Sequence, residues 1–392
     1  MKEILEKNKC SGCSACMNIC PKDAIKMMED ENGFKYPLID NLKCVGCNLC
    51  KKTCPVLNKA ENAKKDVLAY ACYNKNINER LNSSSGGAFV LFAKEILKRK
   101  GVVFGAMFNE KFEVVHGYIQ NKEDLDKLMR SKYTQSDIGN SYFKVKNFLD
   151  DDKYVLFTGT PCQIEGLLAY LNKKYDKLYT QDIICHGVPS PKAWIRYLEF
   201  QEKTNKDNIR KISFRNKDKS WKLFRMKINF DNKTYTKDTR KDIFLQAFLK
   251  NTILRDSCYN CTFKDKYRKS DITLADYWGV KRIHPDLDDD KGTSLVLINS
   301  EKGKELFEDI KDGFIYKKTD FEYAITVNKA MTKSVIKDNK RDDFFKNLDK
   351  IPFDVLVKKY VSKESFLQKG FYFLNNVFKK VIRVFFIKYW KV

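Results

Sequence analysis

The sequence reads CSGCSACMNICP at residues 10–21 and CVGCNLCKKTCP at residues 44–55. Both stretches separate four cysteines by two, two and three residues, and both end in a proline. The repeats begin 34 residues apart, so the first part of the chain contains two copies of one short motif. Such a repeat predicts two similar loops, each bringing three cysteine thiols around one centre.

Cysteine runs with this spacing are typical of bacterial two-cluster ferredoxins, in which three thiolates of each motif bind one [4Fe-4S] cluster and the fourth crosses to the other. The thiols predicted to share a cluster are Cys10, Cys13, Cys16 and Cys54 for one, and Cys44, Cys47, Cys50 and Cys20 for the other. Zinc sites more often show two separated cysteine pairs, and disulfide scaffolds are typical of small secreted proteins. The pattern therefore favours iron-sulfur clusters.

Length and cysteine content indicate the class of protein and its compartment. A chain of 392 residues has room for two or three domains. The start lacks the apolar run of a signal peptide, and no stretch of eighteen apolar residues occurs. Thirteen cysteines suit a reducing compartment in which thiols remain free to bind metal. We expect a cytoplasmic location, with peripheral contact at the inner membrane face as an alternative.

The formal net charge of +24 is the second global signal. Three oxidised clusters, each with a charge of about −2, would reduce it to roughly +18. The lysines are scattered rather than gathered in one basic block, so we expect no nucleic-acid binding. Two interpretations stay open: a solvated basic surface, and a face that docks an acidic redox partner or an anionic substrate.

The pattern along the chain predicts three segments and an α/β fold. Residues 1–57 are predicted to form an α+β ferredoxin-type domain, with a short helix over 23–26 and a strand over 36–38. A polar linker over 58–65 leads to a mixed-sheet α/β core over 66–330. The aromatic and basic tail over 338–392 is predicted to be helical, and suits a membrane surface, a partner or the chain's own core.

Several loops of the predicted core follow strands and carry residues that bind ligands. A strand over 154–157 runs into Thr160, Pro161 and Cys162, with the proline at the first position of a helix. The next strand, over 179–184, ends in Cys185 and His186. Ligands bind at the carboxyl ends of parallel strands in open α/β sheets, so these loops predict a site.

A serine-glycine turn precedes a predicted buried helix over 88–97. Ser85, Gly86 and Gly87 could expose backbone N–H groups to an anion such as a phosphate. An ordinary helix cap would look the same in the sequence, so both interpretations stay open.

Five cysteines lie outside the ferredoxin-type motifs. Cys258 and Cys261 have ligand spacing, while Cys162 and Cys185 follow predicted strands, so these four could converge at one end of a sheet and bind a third [4Fe-4S] cluster. A redox-active disulfide and a zinc site are the alternatives. Cys72 lies within a predicted strand and is predicted to be a small buried residue.

These residues resemble the coenzyme F420 hydrogenase/dehydrogenase beta-subunit family of iron-sulfur flavoproteins. The matching motifs appear in family order: Ser85-Gly86-Gly87, Ser131-Lys132-Tyr133, Gly159-Thr160-Pro161-Cys162, Cys185-His186-Gly187-Val188-Pro189-Ser190, Cys258-x-x-Cys261 and Asp271-Ile272-Thr273-x-x-Asp276-x-Trp278-Gly279. With the ferredoxin-type segment, the resemblance covers about three-quarters of the chain.

The resemblance implies a core that binds FAD and a [4Fe-4S] cluster and exchanges electrons with a deazaflavin or another two-electron substrate. Ser85, Gly86 and Gly87 would face the FAD phosphate, with Thr160 and Lys132 near the flavin or an anionic substrate. Members joined to an N-terminal ferredoxin resemble reductases supplied by an external electron donor, and many occur beside polysaccharide-building enzymes.

The sequence thus suggests an iron-sulfur flavoprotein oxidoreductase in which FAD exchanges electrons in pairs and the clusters one at a time. His186 is a candidate proton donor or hydrogen-bond partner of a cluster sulfur, and Asp276 a residue that fixes the site geometry; both could instead be structural. The alternatives are an electron-transfer subunit that relays electrons to a catalytic partner, and a basic iron-sulfur protein acting on nucleic acid or at a membrane.

Overall fold

The structure, a computed structural model, describes residues 3–361. The elements of its N-terminal unit are α1 (Ala15–Asn18), β1 (Ile25–Glu29), β2 (Lys35–Ile39) and α2 (Leu49–Lys52). Strands β1 and β2 pair antiparallel, so the predicted strand over 36–38 is confirmed. The short helix predicted over 23–26 is wrong, because Ile25 begins a strand and is buried beside Ile4 and Cys54 while its backbone pairs with β2.

The segment predicted to be a linker is held against the rest of the chain. Asn62 donates hydrogen bonds to the Asp265 carboxylate, at 2.9 Å, and to the Tyr267 carbonyl oxygen, at 2.6 Å. Lys65 donates to the Arg268 carbonyl oxygen at 2.6 Å. These contacts fix the N-terminal unit relative to the loop that precedes the core strand beginning at Ile272.

Alternating strands and helices form the larger part of the chain. The strands are β3 (Leu68–Asn74), β4 (Val102–Phe108), β5 (Val114–Ile119), β6 (Val155–Gly159), β7 (Leu178–Ile183), β8 (Ile209–Asn216), β9 (Arg225–Phe230), β10 (Thr234–Asp238), β11 (Ile272–Asp276), β12 (Ser294–Ile298) and β13 (Phe314–Thr319). The helices are α3 (Ile77–Leu81), α4 (Ala88–Lys98), α5 (Leu125–Leu128), α6 (Ser141–Asp150), α7 (Pro161–Leu171), α8 (Pro191–Asn205), α9 (Ile243–Leu249), α10 (Glu301–Ile310), α11 (Phe321–Val327), α12 (Arg341–Lys346) and α13 (Phe353–Tyr360).

An eight-stranded mixed sheet is the scaffold, with strand order β13-β3-β12-β11-β7-β6-β4-β5. From β4 the chain winds through β6, β7 and β11, each parallel to the previous strand and beside it. Strand β3 runs in the same direction, because β12 is antiparallel to both β3 and β11. The ends of these five strands, at Asn74, Phe108, Gly159, Ile183 and Asp276, define what we call the carboxyl edge.

Helices cover both faces of the sheet. Helices α4 and α10 pack their apolar side chains on one face, where Phe92, Ile96 and Phe307 are buried. Helices α6 and α7 cover the β4–β7 part of the other face. The α/β fold with a mixed sheet, predicted from alternating strand and helix patterns, is thus confirmed.

A second core lies beside the sheet. Strands β8, β9 and β10 form an antiparallel meander and pack against α8, α9, α12 and α13 around Trp194, Phe214 and Phe244. Phe344 and Phe353 belong to this core, so the described part of the predicted tail, up to residue 361, is packed against the chain itself. The amphipathic segment predicted over 365–392 lies outside the described residues.

Within residues 3–361, no helix combines the length and apolar character needed to cross a bilayer.

Candidate metal centres and cofactor site

The first cysteine group surrounds a cavity inside the N-terminal unit, which we call the proximal site. Its thiols are those assigned together from the sequence, Cys10, Cys13, Cys16 and Cys54. Burial, together with the neighbouring Cys10 and Cys54 thiols, raises the pKa of Cys13 to about 12. Burial, with the same neighbours, also raises the pKa of Cys16. The structure therefore brings the crossing ligand, Cys54, to the loop of the first motif.

The second group, the distal site, lies at the surface. Burial raises the pKa of Cys50, and the nearby Cys44 and Cys47 thiols add to this shift. Cys20 and Cys50 pack against the same small core of the unit. Cys47 is exposed, so this centre would lie nearer to solvent than the proximal site.

Four further cysteines line a cavity at the carboxyl edge, which we call the core site. Cys162 lies in the first turn of α7, directly after β6, and Cys185 follows β7. Cys258 and Cys261 enter from the loop between α9 and β11. The four residues that the sequence predicted to converge are thus brought together, while Cys72 is fully buried in β3 and faces another core.

The chemistry of the core site suits an anionic tetrathiolate cluster. Burial raises the pKa of Cys162, Cys185 and Cys258, and each is raised further by a neighbouring thiol of the group. Four such thiols ionise together only beside compensating positive charge. Both metal ions and cationic side chains can supply this charge.

Cationic side chains line the core site. Lys9, Lys264 and Arg268 all border the cavity. Lys264 donates to the Cys185 carbonyl oxygen, and at 2.6 Å to that of Ala330. The Nε atom of Arg268 is buried and has no hydrogen-bond partner among the described residues. An unpaired buried donor beside four thiols fits a site that receives an anionic group.

The thiols of the proximal and core sites border their cavities and do not converge on a single point. Across residues 3–361, no three His, Cys, Asp or Glu side chains are close enough to hold a single metal ion.

The proximal and core sites adjoin each other. A Cβ atom added to Gly166, in α7, would lie 3.1 Å from the Cys13 Sγ atom, so the proximal loop is in contact with the helix that carries Cys162. The Cys13 thiol is also near enough to raise the pKa of Cys162. Ser11, from the first motif, lines the cavities of both sites.

Arg255 clamps the first motif to the core. Its buried guanidinium donates to the carbonyl oxygens of Cys10, at 2.7 Å, and Lys35, at 3.0 Å, and to the Gln135 side chain, at 2.9 Å. The same group lies over the Tyr36 ring, 4.2 Å from its centre. Sequence reasoning missed this residue, and its position three residues before Cys258 was the available signal.

Thr160 and His186 both border the core site. The Thr160 hydroxyl lies 3.1 Å from the Cys162 Sγ atom, and its backbone N–H is capped by the Gln163 side chain at 2.9 Å. His186 Nε2 lies 2.7 Å from the Asn251 side-chain oxygen, and burial lowers the pKa of this histidine. Both side chains are therefore positioned next to cysteines of the core site.

The serine-glycine turn is packed tightly against the chain itself. The Ser85 hydroxyl donates to the Thr293 carbonyl oxygen at 3.0 Å, and the Gly86 N–H donates to the Ser294 hydroxyl at 3.0 Å. A Cβ at Gly86 would lie 2.7 Å from the Ser294 backbone nitrogen. Gly87 has a φ of 85° and precedes α4. Internal packing alone thus accounts for these residue types, whatever they bind.

A buried lysine fixes this turn. Lys217 Nζ donates to the carbonyl oxygens of Arg80 at 2.7 Å, Ser85 at 2.6 Å and Lys291 at 2.8 Å. Burial lowers its pKa to about 7, and the neighbouring Arg215 and Arg80 guanidinium groups lower it as well.

Asp276 ends β11 and holds a buried arginine at the carboxyl edge. One carboxylate oxygen pairs with Arg215 Nη1, and the other accepts a hydrogen bond from Trp221 Nε1 at 3.0 Å. Trp221 stacks on Trp278 with ring centres 5.0 Å apart. The Nε and Nη2 atoms of Arg215 are buried and make no hydrogen bond of ordinary geometry within the described residues. Sequence reasoning missed Arg215, because nothing in the strand pattern of β8 distinguishes it.

Lys132 lies beside a helix end. Its Nζ atom donates to the carbonyl oxygens of Lys127 at 3.0 Å, Met129 at 2.8 Å and Arg130 at 3.3 Å, just after α5. Burial, together with the Arg130 guanidinium, lowers its pKa to about 7. The neighbouring Tyr133 hydroxyl, rather than Lys132, interacts with Arg215.

Comparison with protein families identifies two parts of the chain. Residues 152–322 match the family described as the C terminus of the coenzyme F420 hydrogenase/dehydrogenase beta subunit. Residues 9–58 match the 4Fe-4S dicluster domain. The resemblance predicted from the motifs is therefore confirmed.

Two known proteins are similar over longer stretches. The coenzyme F420-dependent sulfite reductase of Methanocaldococcus jannaschii is 25% identical over 315 residues, which are 78% of this chain and 46% of that protein. This chain thus spans less than half the length of that relative. A chain of the xenon-derivatised F420-reducing [NiFe] hydrogenase complex from Methanosarcina barkeri gives a TM-score of 0.44 at 14% identity, covering 67% of this chain and 89% of that one.

Proposed function

The chain joins a 4Fe-4S dicluster domain, at residues 9–58, to a domain of the coenzyme F420 hydrogenase/dehydrogenase beta-subunit family, at residues 152–322, and from this we propose that it is an iron-sulfur flavoprotein oxidoreductase. Its substrate would be a small two-electron carrier, with the deazaflavin F420 as first candidate. One observation carries the proposal: the four-cysteine core site adjoins the proximal site at the carboxyl edge.

The cysteines have the arrangement that a chain of redox centres needs. Bound clusters would supply one-electron transfer, and bound FAD would supply the exchange of electrons in pairs. The distal, proximal and core cysteines would each hold one cluster. Contact between Cys13 and α7 brings the last two sites next to each other without an intervening layer of protein.

We place the flavin or its anionic substrate at the part of the carboxyl edge between the core site and the serine-glycine turn. Arg215 supports this placement, since its buried Nε and Nη2 atoms make no hydrogen bond of ordinary geometry among the described residues and an anionic group would satisfy them. Asp276 and Trp221 would orient the guanidinium, and the exposed face of Trp278 would offer a planar surface. The role of Ser85, Gly86 and Gly87 toward an FAD phosphate is a proposal resting on the family resemblance.

Two residues of the core site would act on protons or on the thiolates. The Thr160 hydroxyl can donate to the Cys162 sulfur, which would stabilise its thiolate form. His186 is held by Asn251 and borders the cavity. A His186→Ala protein with full flavin and iron content should turn over more slowly; turnover at the wild-type rate would remove the catalytic role.

The proposal is tested with anaerobically reconstituted protein. We expect about one FAD per chain, and reduction of F420 by the protein when a reduced viologen dye supplies electrons. A Cys258→Ala protein should keep the ferredoxin-type clusters and lose dye-driven F420 reduction. Cys72→Ala is the control, because this thiol is buried in another core, and the activity of this variant should be unchanged.

Two results would contradict the proposal. A protein with all of its iron and no flavin after reconstitution would instead be an electron-transfer subunit that relays electrons to a catalytic partner. A flavin-loaded protein that reduces other two-electron acceptors but not F420 would keep the reaction class and exclude the deazaflavin. The first result concerns the cofactor and the second only the substrate.

The Arg215 placement has its own test. Arg215→Gln should keep the iron content and weaken FAD retention or raise the KM for F420, because the unpaired donors are lost. Arg225→Gln, on the neighbouring strand β9 and paired with Asp218, is the control. Equal flavin content and KM in both variants would exclude Arg215 from the site.

A further inference from the structure

The two cluster loops have the same backbone conformation. Gly12 and Gly46 have φ values of 69° and 72°, and the residues that cap the following helices, Ser14 and Asn48, have φ values of 62° and 59°. The 34-residue offset therefore pairs equivalent positions, and differences between them reflect what each loop faces.

The first loop faces the core of the protein. Ser11 is buried, and its carbonyl oxygen accepts a hydrogen bond from the Gln135 side chain at 3.1 Å. Ala15 is fully buried among the residues of α6 and α7. Asn18 donates to the Gly139 carbonyl oxygen at 2.9 Å. Small and polar residues thus occupy an interface between two parts of one chain.

The second loop carries larger apolar residues at equivalent positions, and they are exposed. Val45 stands where the first loop has Ser11, and Leu49 where it has Ala15; their exposed fractions are 64% and 37%. Leu42, equivalent to Asn8, is fully exposed. Among the described residues, apart from its two chain neighbours, nothing lies within 4 Å of a Cβ added to Gly46. Apolar residues grouped in one loop around an exposed cysteine, Cys47, are typical of a surface that a partner covers.

Three lysines surround this loop, together with one carboxylate, Asp40, which accepts a hydrogen bond from the Leu42 N–H at 3.0 Å. Lys43, Lys51 and Lys52 are exposed, and among the described residues none of them has an acidic side chain within ion-pair distance. A second copy of this chain, with a net charge of +24, would be repelled. The C-terminal segment 365–392 has the same sign of charge, so it is an equally poor occupant.

We propose that this surface, the distal face, docks a small acidic one-electron carrier protein whose cofactor lies near its own surface. The distal face consists of Leu42, Lys43, Val45, Leu49, Lys51 and Lys52. The apolar residues would form the dry centre of the contact and the lysines its rim, an arrangement that favours fast, salt-sensitive association. Docking here would bring the carrier next to the Cys47 loop. The proposal rests on the proposed function, since a carrier is useful only to a redox protein.

The test measures binding of a purified acidic bacterial two-[4Fe-4S] ferredoxin to the full-length holoprotein. One variant replaces the apolar residues by their equivalents in the first loop: Leu42→Asn, Val45→Ser and Leu49→Ala. A second reverses the charges: Lys43→Glu, Lys51→Glu and Lys52→Glu. The first set already occurs in a loop of the same conformation, and the second set changes only exposed side chains. We therefore expect both variants to keep the iron content of the wild type.

The matched control reverses three exposed lysines in or just after helices α8 and α12: Lys203→Glu, Lys346→Glu and Lys350→Glu. We expect each distal-face variant to raise the Kd for the ferredoxin at least tenfold and the control to change it less than threefold. Wild-type affinity should fall between 50 and 300 mM salt, and the charge-reversed variant should lose this dependence.

Three results would overturn the proposal. The first is wild-type protein that does not bind the acidic carrier, or a control that weakens binding as much as the distal-face variants. The second is loss of binding to phosphatidylglycerol vesicles in the distal-face variants alone, which would make the surface a lipid contact. The third is a change from dimer to monomer in these variants. If the protein does not bind the carrier but still reduces F420 with viologen, only the docking proposal is overturned. If it binds the carrier but contains no flavin, only the proposed function is overturned.

Discussion

The two equivalent glycines, Gly12 and Gly46, show how surroundings rather than backbone decide the cost of a substitution. Both have a positive φ, so replacement by alanine strains either loop by about 1–2 kcal/mol. An added Cβ at Gly12 would also lie 2.8 Å from the Arg255 Nη1 atom and 2.8 Å from the Gln135 Nε2 atom, whereas Gly46 has open space.

Gly12→Ala should therefore lower the apparent unfolding temperature and the iron content more than Gly46→Ala. The clash disrupts the arginine clamp, and overpacking of this kind costs about 1–3 kcal/mol more. Thermal unfolding under anaerobic conditions, with iron analysis, measures the difference. Equal effects of the two substitutions would show that Arg255 does not hold the first motif.

His116 predicts a pH dependence of stability. Its Nε2 donates to the Thr158 carbonyl oxygen at 2.9 Å, so Nδ1 accepts from the Ser136 hydroxyl at 2.8 Å and the ring is neutral. Burial lowers its pKa to about 4, whereas an unfolded histidine titrates near 6.5. Below about pH 6.5 the unfolded chain binds a proton that the folded chain does not, so stability is lost as the pH falls.

The expected loss is about 1.4 kcal/mol per pH unit below 6.5. The unfolding temperature of the wild type should thus fall more steeply between pH 7 and pH 5.5 than that of His116→Gln, which has no group to titrate. Both proteins carry the same acid-sensitive clusters, so the difference isolates the histidine. Parallel curves would mean that the ring is not buried and neutral.

Among the elements, the strands with apolar runs were predicted, and β1 was not. The strands predicted over 154–157 and 179–184 correspond to β6 and β7, and both follow from β-branched and aromatic runs. Ile25 shows the limit: a few residues between two cluster loops have no period, and the pairing of β1 with β2 decides their conformation. The linker looked free because Asn62 and Lys65 are polar, but their partners are backbone and side-chain groups about 200 residues away.

The helices α12 and α13 predict how far the chain can be shortened. Phe344, Phe353 and Leu356 are buried in the core around Trp194, so a chain that ends at residue 337 would expose a large apolar surface. Removing each such contact costs several kcal/mol, and together they exceed the stability of a typical domain.

We therefore expect a chain that ends at residue 361 to fold with wild-type iron content, and one that ends at 337 to aggregate on expression. Iron analysis and size-exclusion chromatography of both products make the comparison. A folded, iron-loaded product from the shorter chain would show that the second core folds without α12 and α13.

At the scale of the whole molecule, sequence reasoning found the cysteines and missed the residues that join the sites. Ligand spacing is a local pattern, so the two ferredoxin-type motifs could be recognised from the sequence alone. The convergence of Cys162, Cys185, Cys258 and Cys261 also depends on sheet order, which the sequence only suggested. Arg215 has no local pattern and Arg255 has only its closeness to Cys258, because the roles of both arise from partners brought together by the fold.

The proposed chain of redox centres requires a third metal site in the core, next to the proximal site. Its most direct test is anaerobic analysis of iron, sulfide and zinc per chain, in the wild type and in a Cys258→Ala, Cys261→Ala double variant. Three four-iron clusters predict about twelve irons in the wild type and about eight in the variant, with equal sulfide and no zinc. About eight irons in both proteins, or eight irons with one zinc in the wild type, would contradict the account.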